Sequence, residues 1–250
     1  MAKLDFTGER ILPEVGGYFF QEHMSRYKLA KELIKPNYAV LDVGCGAGYG
    51  TYFLSEKTKE IVGIDISEDA INLARERYHE DGLTYQKVNP DSWNITPSHF
   101  DLAVCFEVFE HIEEPESLLE NINKSLNDEG ILVISTPNKE VYGDNLPDPY
   151  HIREYSLQEF LAIVGKLFEV SSIQGQRNRS QLKKKFNFWL ARSAMKHALL
   201  MNTFNLMLKL KSTNIGSIQE LERIPTGGNY FSDLQPEDAD YFILVARKKT

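Results

Sequence analysis

Cysteine is scarce in this chain: two residues in 250, Cys45 and Cys105. Two thiols cannot build a disulfide framework, and the number fits a reducing compartment. No CxxC pair and no histidine-rich tract suggests zinc. Long hydrophobic runs are missing as well. Nothing approaches the roughly 18 apolar residues of a membrane span, and the first five residues open no apolar signal segment. Positive charge is in deficit, with 28 Lys and Arg against 36 Asp and Glu, a net −8. A field of that sign repels polyanions and argues against nucleic-acid binding. A cytosolic protein is the expectation. What is present is ordinary for a globular enzyme: 42% hydrophobic and 26% charged residues, with no internal repeat or low-complexity tract.

Short β-rich runs alternate with helical patterns through the first half of the chain. Strands are expected at 39–43, 61–65, 83–88, 101–106 and 131–135, with helices at 49–55, 67–79 and 115–126. Ser67 reads as an N-cap ahead of an apolar stripe of Ala70, Ile71, Ala74 and Tyr78. Gly130 reads as a helix-to-strand turn. Such alternation implies βαβ units and a parallel sheet with helices on both faces. Right-handed crossovers then gather the strand-to-helix loops along one edge, where ligands bind. A helix at 21–35, stopped by Pro36, precedes the sheet. A helix at 156–166, a strand at 168–173 and a last strand at 240–247 follow it. The fold class is therefore α/β: a doubly wound, mostly parallel, seven-stranded sheet in a single domain, 1–250. Residues 1–37 form an N-terminal helical cover, and 175–239 form an insertion longer than any hairpin needs.

The densest motif is Asp42-Val43-Gly44-Cys45-Gly46-Ala47-Gly48, at the end of the first strand. Alternate glycines let the backbone turn sharply and approach a ligand closely. The helix that follows offers free N–H groups to an anionic end of that ligand. Asp65 ends the second strand about 20 residues on, where a carboxylate can accept both hydroxyls of a ribose. A nicotinamide-binding fold shares these features, but its GxGxxG spacing fails here because Tyr49 stands at the sixth position. The acid-x-Gly-x-Gly-x-Gly pattern instead resembles motif I of the class I S-adenosylmethionine-dependent methyltransferases. The stretch at 100–112, with Phe106-Glu107-Val108-Phe109-Glu110-His111, resembles the fourth-strand motif of small-molecule methyltransferases, and 117–138 is similar to their next helix and strand.

That resemblance implies S-adenosyl-L-methionine as cofactor and places its contacts. Gly44, Gly46 and Gly48 would line the amino-acid and sulfonium part, and Asp42 would orient the methionine amine. Asp65 would hold the ribose, and Ile66 would pack on adenine. Asn89 or Asp91 would meet the adenine amino group, in place of the family's usual acid after the third strand. Phe106 and Glu107 would close the far side.

Thr7-Gly8-Glu9-Arg10 and Glu22-His23-Met24-Ser25-Arg26-Tyr27 resemble the lead-in of a methyltransferase subgroup associated with polysaccharide and glycan biosynthesis. His23 and Tyr27 share one helical face. Arg26 is expected to pair with the cofactor's carboxylate and exclude water. The stretch His151-Ile152-Arg153-Glu154-Tyr155-Ser156 also fits that subgroup and falls at the same sheet edge. His151 and His111 are the candidate general bases for an acceptor hydroxyl. No metal is assigned, since the spacing of Asp144, Asp148 and His151 is no specific signature.

Residues 170–219 hold no acid but nine of the 28 bases, which leaves 19 bases against 36 acids elsewhere, a charge of −17. Phe, Trp, Leu and Met residues interleave with these bases between Arg177 and Lys211. The stretch reads either as a helical lid or homodimer arm, or as a surface for an anionic acceptor or a peripheral membrane face. The expected activity is O-methylation of a sugar hydroxyl on a nucleotide-, lipid- or glycan-linked small molecule. A quinone-like or natural-product hydroxyl, or a non-catalytic cofactor-binding module, are the alternatives.

Overall fold

The computed structural model describes residues 17–89, 93–142, 150–176 and 239–249. The order is α1 (Gly17–Leu33), β1 (Ala39–Val43), α2 (Tyr49–Ser55), β2 (Glu60–Asp65), α3 (Glu68–Arg77), β3 (Leu83–Lys87) and β4 (Phe100–Phe106). There follow a 3-10 turn (Phe109–His111), α4 (Pro115–Ser125), β5 (Leu126–Pro137), α5 (Lys139–Tyr142), α6 (Leu157–Val164), β6 (Phe168–Gln176) and β7 (Tyr241–Lys248). The seven strands form one sheet in the order β3-β2-β1-β4-β5-β7-β6. Neighbours among β1 to β5 pair in parallel, and β7 runs antiparallel to both β5 and β6.

Burial on both faces explains the continuous apolar strands. All five residues of β1 are buried, as helix-covered parallel strands require. Alternation along β4 sends Leu102, Val104 and Phe106 to one face, where α1, α2 and α3 contribute Met24, Tyr27, Phe53 and Ala74. Ala103 and Cys105 go to the other, where α4 and α6 contribute Leu119, Ile122, Phe160 and Val164. The sheet order turns between β1 and β4, and in open α/β sheets the crevice that takes ligands lies at such a turn, outside the carboxyl ends of the strands.

Local chemistry sets the helix starts. Ser67 caps α3 by accepting from the Ala70 N–H at 3.3 Å, and Ala70, Ile71 and Ala74 are buried, as the stripe predicts. Ser156 and Glu159 close a capping box at the start of α6. Some boundaries need correction. Gly130 lies inside β5, which already begins at Leu126, with a register shift against β4 between Phe100 and Leu102. The strand therefore starts before the glycine, and the irregularity is absorbed within the ladder. β6 runs on to Gln176, whose carbonyl accepts from the Asp240 N–H at 2.9 Å. Gly175, Gln176 and the buried Ala239 thus belong to the sheet region and not to the insertion. The basic stretch from Arg177 to Lys211 lies outside the described residues.

Candidate active site

The loop after β1 turns on three glycines with positive φ, Gly44, Gly46 and Gly48. Gly48 caps α2 in the left-handed region, and a Cβ there would lie 2.6 Å from Ala74 and 2.8 Å from the Tyr85 ring. At Gly46 a Cβ would meet no atom within 4 Å, so this peptide faces open space. Asp65 links the two loops at the edge. Its Oδ2 accepts the Gly46 N–H at 3.0 Å and its Oδ1 accepts the Ser67 N–H at 2.8 Å. Beside it Ile66 is 58% exposed, a large apolar side chain at the rim of the crevice. Asn89 is exposed just beyond β3. Asp91 lies outside the described residues.

Beneath the loop, Asp42 is fully buried. Its Oδ2 accepts from Thr51 Oγ1 at 2.7 Å, and both oxygens accept from the Tyr27 hydroxyl at 3.2 and 3.3 Å. Desolvation pushes its carboxyl up to about 7 despite these donors. Asp42 does not reach the open side, which corrects its expected contact with the cofactor amine. It ties α1 and α2 to β1.

The other wall of the crevice is α1. His23 Nδ1 lies 2.6 Å from the Tyr49 hydroxyl, and burial followed by the Arg26 charge lowers the ring to about 3, so it is neutral. Its ring and that of Tyr27 meet Phe106 edge-on, at 6.4 and 5.1 Å between centroids. Arg26 is turned inward. Its Nε donates to Gln176 Oε1 at 2.8 Å, its Nη1 pairs with Glu107 Oε1 at 3.2 Å, and the guanidinium stacks 4.2 Å above the Tyr241 ring. Those bonds correct the expected pairing of Arg26 with the cofactor's carboxylate: its side chain is 2% exposed. Burial opposes its charge, but Glu107 and neighbouring groups hold the guanidinium pKa above its usual value.

Glu107 adopts φ 54°, a left-handed conformation for a non-glycine residue at the end of β4. Its Oε1 also accepts from Ser135 Oγ at 2.8 Å. The next turn brings together the two histidines singled out in the sequence, with ring centroids 4.9 Å apart. His111 Nδ1 bonds the Tyr150 carbonyl at 2.9 Å, and His151 Nδ1 bonds Glu154. Glu110 is buried behind them. Its backbone carbonyl accepts from Ile152 and Arg153, and its Oε2 from Thr136 Oγ1 at 3.2 Å. Desolvation, with the Glu107 charge adding to it, pushes this carboxyl well above the usual range. Glu110 is not among the candidate residues the sequence offers; its place in Phe109-Glu110-His111 is the available signal. Gln176, which also donates to the Glu22 carbonyl and Ser25 Oγ, gave none.

Residues 34–188 match a family model described as a methyltransferase domain. The chain belongs to the class I S-adenosylmethionine-dependent methyltransferase family. S-adenosyl-L-methionine is the cofactor of this family. A probable S-adenosylmethionine-dependent methyltransferase of Mycobacterium tuberculosis is 28% identical over 169 residues, 65% of this chain and 60% of the relative. The chain thus spans about three fifths of that relative's length. A ubiquinone biosynthesis O-methyltransferase of Azoarcus is 36% identical over 103 residues, 40% of this chain and 44% of its own. Among solved structures, a methyltransferase-like protein of Bacillus halodurans superposes with a TM-score of 0.61 at 16% identity, covering 91% of this chain and 99% of its own. That likeness shows the methyltransferase fold.

The residues at this edge of the methyltransferase domain suit the cofactor in their chemistry. The Gly46 peptide faces open space, the Asp65 carboxylate stands at the sheet edge, and an apolar Ile66 is exposed beside it. Each is what a ribose and a purine need.

Proposed function

We propose that the chain is an S-adenosylmethionine-dependent O-methyltransferase acting on a sugar hydroxyl of a nucleotide-, lipid- or glycan-linked small molecule. The observation that carries this reading is the polar end of the crevice, where Glu107, Glu110, His111, His151 and Glu154 gather at the ends of β4 and β5. A polyhydroxylated acceptor finds hydrogen-bond partners there, whereas an isoprenoid quinone needs an apolar wall.

Gly44, Gly46 and Gly48 bring their backbone to the cofactor, Asp65 takes its ribose hydroxyls, Ile66 covers the adenine, and Asn89 or Asp91 takes the adenine amino group. Phe106 and Glu107 close the methionine end. In this assignment Arg26 acts on Glu107, holding its carboxylate in place. The cofactor supplies an electrophilic methyl group on a sulfonium. The chain's own residues position the acceptor oxygen in line, exclude water, and take the hydroxyl proton at His151 or His111. The acid-free stretch from Arg177 to Lys211 offers an attractive approach for an anionic acceptor, a membrane face or a second copy. No helix among the described residues is long and apolar enough to cross a membrane.

A second reading, a quinone-type phenolic hydroxyl, is favoured by the likeness to a ubiquinone biosynthesis O-methyltransferase. Incubation with methyl-labelled cofactor and a panel of nucleotide sugars, lipid-linked sugars and polyprenyl phenols separates the two. Label on a sugar oxygen, located by mass spectrometry, is expected. Label only on a phenol establishes the second reading, and no transfer to any acceptor with bound cofactor points to a binding module.

A further inference from the structure

We infer that Glu110, His111 and His151 form a binding site for one divalent cation of the zinc class at the acceptor end of the crevice. A carboxylate oxygen of Glu110 and a ring nitrogen from each histidine lie within 4.8 Å of one another. Donors stand about 2.0–2.2 Å from zinc, so small side-chain rotations close the triangle around one ion.

Three independent features point to a cation. Glu110 is buried, and its Oε1 has no hydrogen-bond partner among the described residues, while Oε2 is held by Thr136. A buried carboxylate oxygen without a donor is costly unless a cation meets it. The histidines are oriented as metal ligands are. A carbonyl can only accept, so His111 Nδ1 carries the proton bonded to Tyr150, and the neutral ring keeps its Nε2 lone pair. Glu154 meets Nδ1 of His151 in the same way. A carbonyl or carboxylate behind each ring, fixing its tautomer, is the second layer that ligating histidines use. Finally, the ligands come from two segments locked together, since the Glu110 carbonyl accepts both the Ile152 and Arg153 N–H groups. The site is therefore preorganised.

Two imidazoles and one carboxylate suit zinc, cobalt or ferrous iron better than magnesium or calcium, which prefer oxygen donors. Three protein ligands leave a coordination position open. Its place beside Glu107 puts that position next to the acceptor, an assignment that rests on the methyl-transfer reading. With the ion bound the histidine lone pairs are occupied, so the ion takes the place of a histidine base: a hydroxyl ligating it would lose its proton to bulk water more readily, as zinc-bound water does with a pKa of about 7.

The test uses the full chain, freed of any affinity tag, chelator-treated and dialysed. Zinc is titrated by calorimetry, and cobalt by its visible absorption. Wild type should bind one equivalent, and equimolar magnesium or calcium should not displace it. Glu110→Gln and His151→Ala should weaken binding by about a hundredfold or more, and Glu154→Gln by about 10–100-fold. His99→Ala, which removes an exposed ring paired with Glu60, should bind like wild type. Failure of wild type to bind either metal, or equal binding by all variants, overturns the site. S-adenosylhomocysteine titrated into the same samples keeps the two readings apart. Its binding without zinc binding refutes the metal site alone, and its absence from wild type refutes the methyltransferase reading. Retained S-adenosylhomocysteine binding in Glu110→Gln or Glu154→Gln shows that a loss of metal is not a loss of fold.

Discussion

Asp65 does two jobs that a single substitution separates poorly, so the size of its effect is informative. Its carboxylate already accepts the Gly46 and Ser67 N–H groups, and the ribose would add its hydroxyls. Asp65→Ala should weaken S-adenosylhomocysteine by roughly 1.5–3 kcal/mol, the scale of hydrogen bonds to a charged group. Unchanged affinity by calorimetry would remove Asp65 from the site. Two other groups, the buried Asp42 and the half-buried His23, act oppositely on stability as pH changes. Asp42 rises from 3.8 to about 7 on folding, chiefly through desolvation. Its contribution is complete below the unfolded value and is lost as pH rises toward 7. His23 falls from 6.5 to about 3, through burial and then the Arg26 charge. Its contribution is complete above 6.5 and is lost as pH falls toward 3. Relative to wild type, Asp42→Asn should therefore gain stability as pH rises through that window, and His23→Gln should lose it. Each slope is at most about 1.4 kcal/mol per pH unit. Urea melts across the window measure both, and parallel curves for all three proteins would contradict the assigned protonation states.

The glycine loop shows at the level of elements how position decides cost. Gly46 and Gly48 both have positive φ, so alanine at either should cost about 1–2 kcal/mol for the left-handed backbone. Gly48 packs against Ala74 and Tyr85, whereas nothing lies within 4 Å of a Cβ on Gly46. Gly48→Ala should therefore lose about 1–3 kcal/mol more, the range for overpacking. Gly46→Ala should keep its fold and lose S-adenosylhomocysteine instead. Equal thermal stabilities for the two would contradict this. The same contrast explains what could be read in advance. Residues 49–55 were legible as a helix to the residue, because Gly48 and the serine at its end punctuate it locally. Ser67 was legible for the same reason: its hydroxyl answers to the adjacent backbone. Gly130 misled because the turn it suggested is absorbed inside a long ladder. The inward turn of Arg26 was hidden because its partner Gln176 stands 150 residues away. Glu110 was hidden because its burial depends on the loop that returns from β5.

Across the whole molecule, Arg26 joins the first helix to the last two strands of the sheet. Its bonds reach Glu107 after β4 and Gln176 at the end of β6, and its face rests on Tyr241 at the start of β7. Gln176 returns two bonds to α1, through the Glu22 carbonyl and Ser25 Oγ. Parts of the chain far apart in sequence are thereby fixed around one guanidinium, and Glu107 is held at the crevice by the same group. Replacing Arg26 by methionine keeps much of the apolar volume but removes the charge from a nearly closed pocket. Truncating one partner of a buried pair costs about 3–5 kcal/mol, because the other charge is left uncompensated. Glu107 is 19% exposed, so the lower end of that range is expected for Arg26→Met. Glu107→Gln added to Arg26→Met removes the stranded carboxylate and should recover part of the loss. Denaturant unfolding of the two single variants and the double variant forms the cycle. A double variant as unstable as the sum of the singles would mean that Arg26 acts by packing alone. Recovery in the double, together with loss of S-adenosylhomocysteine affinity in both Glu107 variants, would tie the brace of the fold to the wall of the site.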